Sequence, residues 1–119
     1  MIDTLENTLK RAEKIVFLTG AGISQESGIA TFRGNDSLWQ KYDPTKLASP
    51  AFRDNPKLVW SWYNDRRRKI LAATPGHIAI ANLQNYREVS VITQNIYGLH
   101  QIAGSREVTE LHGNIFAVY

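Results

Sequence analysis

The stretch that most constrains this chain is Thr19–Trp39, TGAGISQESGIATFRGNDSLW, entered directly from the apolar segment Ile15-Val16-Phe17-Leu18. A hydrophobic strand that empties into glycines and then into a helix suits phosphate binding. Glycine lets the backbone turn tightly and approach a ligand, and unpaired N–H groups at a helix start attract anionic oxygen. The common templates do not fit. G-x-G-x-x-G would need glycine where Gln25 stands, and a Walker A loop would need lysine after Gly28. Spacing alone therefore gives a nucleotide loop and no particular class.

The 119 residues suffice for one small domain with a modest core. The formal charge of +3 is concentrated in the run Arg66–Arg68, and without it the balance is near neutral. That argues against a nucleic-acid partner, which leaves a basic stripe. The absence of cysteine excludes a disulfide framework and thiolate metal ligation, so no metal site is expected in these residues. No segment reaches the ~18 apolar residues of a membrane span. The N-terminus, MIDTLENTLKR, carries acids and reads as a helix, unlike a signal or transit peptide. The expectation is a reduced, cytoplasmic protein without a membrane partner.

Along the chain, Asp3 and Glu6 suit a capping box, and Ile2, Leu5, Leu9 and Ala12 make an apolar stripe at helical spacing. Residues 15–19 are apolar without alternation, as in a strand covered on both faces. Ser24 suits the cap of a short helix over Gln25–Ile29. Residues 31–48 form a long irregular connection carrying Phe32, Arg33, Trp39 and Tyr42, of the kind that is usually functional or disordered. The two large aromatics argue against disorder. Ser49-Pro50, Asn55-Pro56 and Thr74-Pro75 each read as an N-cap followed by proline at the first helical position. The second opens a helix to Ala72 and the third a helix to about Asn85. Glu88–Thr93 reads as a strand, Asn95–Ala103 as a helix ended by Gly104, and Val108–Leu111 as a short strand.

Strands separated by helices indicate a parallel α/β sheet. Its strand ends gather the polar clusters: the glycine loop after the first, Gln94-Asn95 after the second, His112-Gly113-Asn114 after the third. In open α/β sheets ligands bind at the carboxyl ends of the strands, so one composite site is expected there. In isolation His112 reads as a surface loop histidine; its place beside the other clusters makes it a candidate. His77 and His100 read as capping or packing residues, Glu26 and Asp36 as cap and loop residues. Trp39, Trp60 and Trp62 read mainly as core.

The segments GAGIS-x-ESGI-x-TFRG, TQN-I-x-x-LH-x-x-AG and ELHGN, in this order, resemble the sirtuin (Sir2) family of NAD-dependent protein deacylases. The resemblance runs from about Ile15 to Asn114. It implies a Rossmann-like parallel sheet with helices on both faces, and a reaction that consumes NAD while an acyl group leaves a lysine of a protein substrate. Carried over by position, Gly20, Ala21 and Gly22 would approach the pyrophosphate. Phe32 and Arg33 would cover the nicotinamide ribose, and Gln94 and Asn95 would line the ribose and nicotinamide pocket. Ile23, Glu26, Thr31, Trp39, Ile96 and Tyr97 would complete the cofactor site. His112 would act as general base on a ribose hydroxyl, with Asn95 beside it. The types suit the roles: imidazole titrates near working pH, and an aromatic lid excludes water from a reactive carbon.

Tyr63 and Arg66, three apart and so neighbours on one helix face, resemble the pair that selects succinyl and malonyl groups in one sirtuin subclass. There the guanidinium pairs with the distal carboxylate and the phenol adds a hydrogen bond. Outside that frame Tyr63 reads as core and Arg66 as one of three solvated arginines. Two features depart from the pattern. The family normally carries aspartate, which hydrogen-bonds the nicotinamide carboxamide, where Tyr97 stands here. The larger phenol is expected to weaken or abolish NAD cleavage. Sirtuins also continue after ELHGN into a four-cysteine zinc module and further strands. Residues 1–119 are thus expected to be the N-terminal part of the catalytic domain, with zinc only in the part beyond and association through the incomplete sheet. The alternatives are an inactive NAD- or ADP-ribose-binding fragment and, as a lesser enzyme reading, a mono-ADP-ribosyl transferase.

Overall fold

A computed structural model of the chain describes residues 2–27, 53–69 and 72–117. Helix α1 (Ile2–Arg11) leads to strand β1 (Lys14–Thr19) and a 3₁₀ helix (Ala21–Ser27). Helices α2 (Pro56–Lys69) and α3 (Pro75–Leu83) precede β2 (Glu88–Thr93), the single-turn α4 (Leu99–Ile102) and β3 (Val108–Glu110). The strands form a parallel sheet in the order β1-β2-β3. Its register sets Phe17 beside Val91, Thr19 beside Thr93, and Val91 beside Val108. The parallel α/β sheet expected from the sequence is present.

The starts of α2 and α3 are set by their caps. Asn55 accepts the Leu58 amide on Oδ1 at 3.2 Å, and Pro56 needs no amide partner. Val59, Trp62 and Arg66 then fall on one buried face of α2. Thr74, extended at φ −78°, accepts the His77 amide, and the His77 ring accepts the Thr74 amide in return. This is a capping box with imidazole where glutamate is usual. In β2, Val89, Val91 and Thr93 point inward. Val89 and Val91 pack with Ile80 of α3, joined by Phe17, Ile23, Leu83 and Val108. A second cluster of Tyr97, Leu99 and Ile115, flanked by Tyr63 and Ile96, lies beyond the strand ends.

Several sequence expectations need correction. β1 alternates between half-buried and exposed residues, with Val16 61% and Leu18 69% exposed, so among the described residues only one face is covered. Helix α1 begins at Ile2, which puts Asp3 in its first turn rather than at the cap, and it buries no residue. Ser24 sits inside the 3₁₀ helix rather than before it, and is 1% exposed. Helix α2 is described over Pro56–Lys69, and Ala72, where the sequence places its end, lies outside the helix. Helix α4 is shorter than Asn95–Ala103 because Gly98, at φ 68°, holds a left-handed turn just before it. The connection 31–48 and the Ser49-Pro50 start lie outside the described residues, and so do the site candidates Thr31, Phe32, Arg33 and Trp39.

Candidate functional site

The three strand ends converge on a cavity of about 240 Å³ lined by Ala21, Ser24, Trp62, Tyr63, Arg66, Gln94, Asn95, Ile96, Tyr97 and His112. Parallel pairing of Thr19 with Thr93 puts the two loops that follow side by side. Asn95 ties them: its Nδ2 donates to the Gly20 carbonyl at 2.7 Å and to Ser24 Oγ at 3.3 Å. With both amide protons directed into the glycine loop, Asn95 offers Oδ1 as its acceptor. Its backbone amide donates to Thr93 Oγ1 at 3.1 Å, which also fixes the turn at the end of β2.

Behind Ser24 stand two buried imidazoles. The Thr74 amide donates to His77 Nδ1 at 3.0 Å, which leaves the proton on Nε2, facing Ser24 Oγ at 3.5 Å. Ser24 Oγ is therefore approached by donors from both Asn95 and His77, and its own proton remains to be donated. The His77 ring meets His100 edge to face at 4.7 Å between centroids. His100 Nε2 lies 2.8 Å from Thr19 Oγ1, while its buried Nδ1 has no hydrogen-bond partner among the described residues. Burial, helped by the neighbouring His100, pushes His77 down to about 4, and burial lowers His100 as well. Both rings are neutral at physiological pH, which suits packing and polar support of Ser24 rather than proton transfer.

The opposite wall comes from α2. Arg66 is 6% exposed, and its Nε and Nη2 donate to the Tyr97 hydroxyl at 2.9 and 2.6 Å. The guanidinium also stands 5.0 Å from the Trp62 ring centroid. The reading of Arg66 as a solvated arginine is thus excluded. Tyr97, 6% exposed, packs with Leu99 and Ile115 and forms part of the cavity wall. Tyr63 lines both this cavity and an adjoining one of about 200 Å³ that also holds Trp60, Arg67, Asn114 and Ile115. His112, exposed, and Ile96 line both cavities too.

Of the residues singled out from sequence, Ala21, Tyr63, Arg66, Gln94, Asn95, Ile96, Tyr97 and His112 meet at one cavity. Gly20 enters through its carbonyl. Gly22 and Glu26 are exposed and outside the lining described, and Ile23 packs its side chain into the core under α3. Sequence reasoning missed the Ser24–His77 support and the Arg66–Tyr97 bond. Among the described residues this cavity, at about 240 Å³, is smaller than the ~300–1,000 Å³ of typical small-molecule sites.

Known proteins resemble this chain over nearly its whole length. The "NAD-dependent protein deacylase 1" of Caldanaerobacter subterraneus subsp. tengcongensis is 55% identical over 118 residues, which are 96% of this chain and 49% of that protein. The "NAD-dependent protein deacylase" of Pyrococcus furiosus is 51% identical over 122 residues, 99% of this chain and 49% of that one. The chain thus spans about half the length of these curated relatives. Among solved structures, a Sir2 homologue mutant in complex with ADP-ribose superposes with a TM-score of 0.87 at 46% identity, covering 96% of this chain and 47% of that one. A Sir2 homologue–NAD complex gives 0.81 at 45% identity, with coverages of 94% and 45%. The Sir2 family model matches residues 20–119, a span that holds the glycine loop, Asn95 and His112 together, and the chain belongs to the Sir2 family.

Proposed function

We propose that this chain supplies the cofactor-facing strand ends of an NAD-dependent protein-lysine deacylase, with Tyr63 and Arg66 favouring acidic acyl groups. The observation that carries the reading is the convergence of Ser24, Asn95 and His112 on the same cavity as Tyr63 and Arg66. The donor set fits the nicotinamide-ribose end of NAD: a serine proton, an asparagine acceptor and an imidazole surround a space with an apolar aromatic wall. NAD, when bound, supplies the carbon that the acyl oxygen attacks as nicotinamide leaves. Asn95 holds the glycine loop against the ribose side and presents Oδ1 to it. His112, at the cavity mouth, takes the proton of a ribose hydroxyl. Among the described lining residues Arg66 is the only permanently charged side chain, so the cavity favours an anionic acyl end.

A second reading, a chain that binds ADP-ribose without turnover, is favoured by one observation. Tyr97 stands where the family carries aspartate and is anchored to Arg66. One experiment separates the two. Acetyl- and succinyl-lysine peptides are assayed with NAD, and ADP-ribose binding is measured by calorimetry on the same protein. The deacylase reading expects nicotinamide release with succinyl-peptide preferred, and Arg66→Met cutting desuccinylation about 10- to 100-fold while deacetylation persists. Equal loss of both activities sinks the acidic-acyl assignment. ADP-ribose binding with no turnover by any peptide selects the second reading.

A further inference from the structure

Arg67 follows Arg66 on α2 but turns to the other strand-end loop. Its Nε donates to the Ile115 carbonyl at 2.7 Å, and Nη2 reaches the same oxygen. The guanidinium carbon lies 5.7 Å from the Phe116 ring centroid. On its amide side Ile115 donates to the Ile96 carbonyl at 2.8 Å, and its side chain is 7% exposed against Tyr97 and Leu99. Ile115 is therefore pinned from two directions, by the segment after β2 and by α2.

His112 lies just before that pin in the chain. It is exposed, and Gly113 behind it is left-handed at φ 80°. On one side the turn is anchored by β3, where Asn114 Nδ2 donates to Glu110 Oε2 at 2.8 Å. On the other it is anchored by Ile115. A cation forking onto a backbone carbonyl and stacking on the next side chain is a rigid anchor, because guanidinium geometry is fixed. We infer that Arg67 is a positioning residue for His112, setting the imidazole at the junction of the two cavities. The inference rests on the reading of His112 as the base of the reaction.

The test follows the histidine ring resonances and amide exchange of the 119-residue chain. Arg67→Ala should shift and broaden the His112 signal and speed exchange of the Ile115 amide roughly tenfold, leaving the His77 and His100 signals in place. Arg67→Lys, which keeps the charge and loses the fork, should fall between. Arg68→Ala, an exposed neighbour, should leave His112 unmoved. An unchanged His112 in folded Arg67→Ala, or an equal change in Arg68→Ala, overturns the inference. Should Arg67→Ala not fold, an unmoved His112 and Ile115 in Arg67→Lys overturns it. Where the chain turns over, kcat should drop while peptide KM stays within about twofold; the reverse pattern also counts against it. A chain with no turnover but a displaced His112 leaves the positioning role standing and refutes the deacylase reading instead.

Discussion

Arg66 gives two N–H bonds to the phenol of Tyr97, across a span of 31 residues, with both side chains 6% exposed. A charge-assisted pair at this depth fixes the guanidinium against the wall of the cavity. Tyr97→Phe keeps the ring and removes the acceptor, so it should destabilise the chain by about 1.5–3 kcal/mol, a fall of several °C in Tm. Calorimetric melts of the two proteins measure it, and an unchanged Tm would mean that Arg66 is held elsewhere.

Tyr97→Asp tests the cofactor side of the same pair. Aspartate is smaller, opens the cavity and restores a carboxylate acceptor for a carboxamide. Nicotinamide release from NAD should rise in the variant, by the 1–3 kcal/mol that a buried hydrogen bond carries. An unchanged rate would show that Tyr97 does not limit NAD cleavage.

The buried pair His77 and His100 predicts an acid limit. His77 falls from 6.5 to about 4 on folding, chiefly by burial. A depressed histidine binds its proton more readily when unfolded, so its contribution is complete above pH 6.5 and is lost as pH drops toward 4. The loss amounts to at most about 3 kcal/mol for this residue. Denaturant midpoints measured across that window should decline with acid. His77→Gln should be less stable at neutral pH and flatter in its pH dependence.

What could be read in the sequence was what is encoded locally. The Thr74-Pro75 and Asn55-Pro56 starts and the β-branched run Glu88–Thr93 were legible because caps, proline and side-chain alternation act within a few residues. Strand-end clustering then followed from parallel topology. The supports of the site were not legible. Ser24 meets His77 across 53 positions and Arg67 meets Ile115 across 48, and no pattern in either segment announces a partner so distant. From sequence Ser24 reads as a cap because serine before a helix usually is one. Its burial comes from tertiary packing against α3.

Asn95 is the residue on which the glycine loop hangs. Asn95→Ala removes the bonds to the Gly20 carbonyl and Ser24 Oγ and the acceptor facing the cavity. ADP-ribose affinity measured by calorimetry should fall roughly tenfold, with about 1 kcal/mol of stability lost. Asn95→Asp should be worse, because a carboxylate would then face the Gly20 carbonyl oxygen. Equal binding by all three proteins would show that the loop holds its shape unaided.

The last expectation concerns β1. Val16 and Leu18 are 61% and 69% exposed on a strand that is an edge among the described residues. An apolar strand face with an open edge invites pairing, either with another strand or with a second copy of the sheet. In sedimentation at micromolar concentrations the chain should therefore associate, increasingly so with concentration. The double variant Val16→Thr, Leu18→Thr keeps β-propensity while making the face polar. It should sediment as a monomer with an unchanged circular dichroism spectrum. A wild-type chain that is monomeric throughout, or a double variant that associates as strongly, would assign the exposed face no part in assembly.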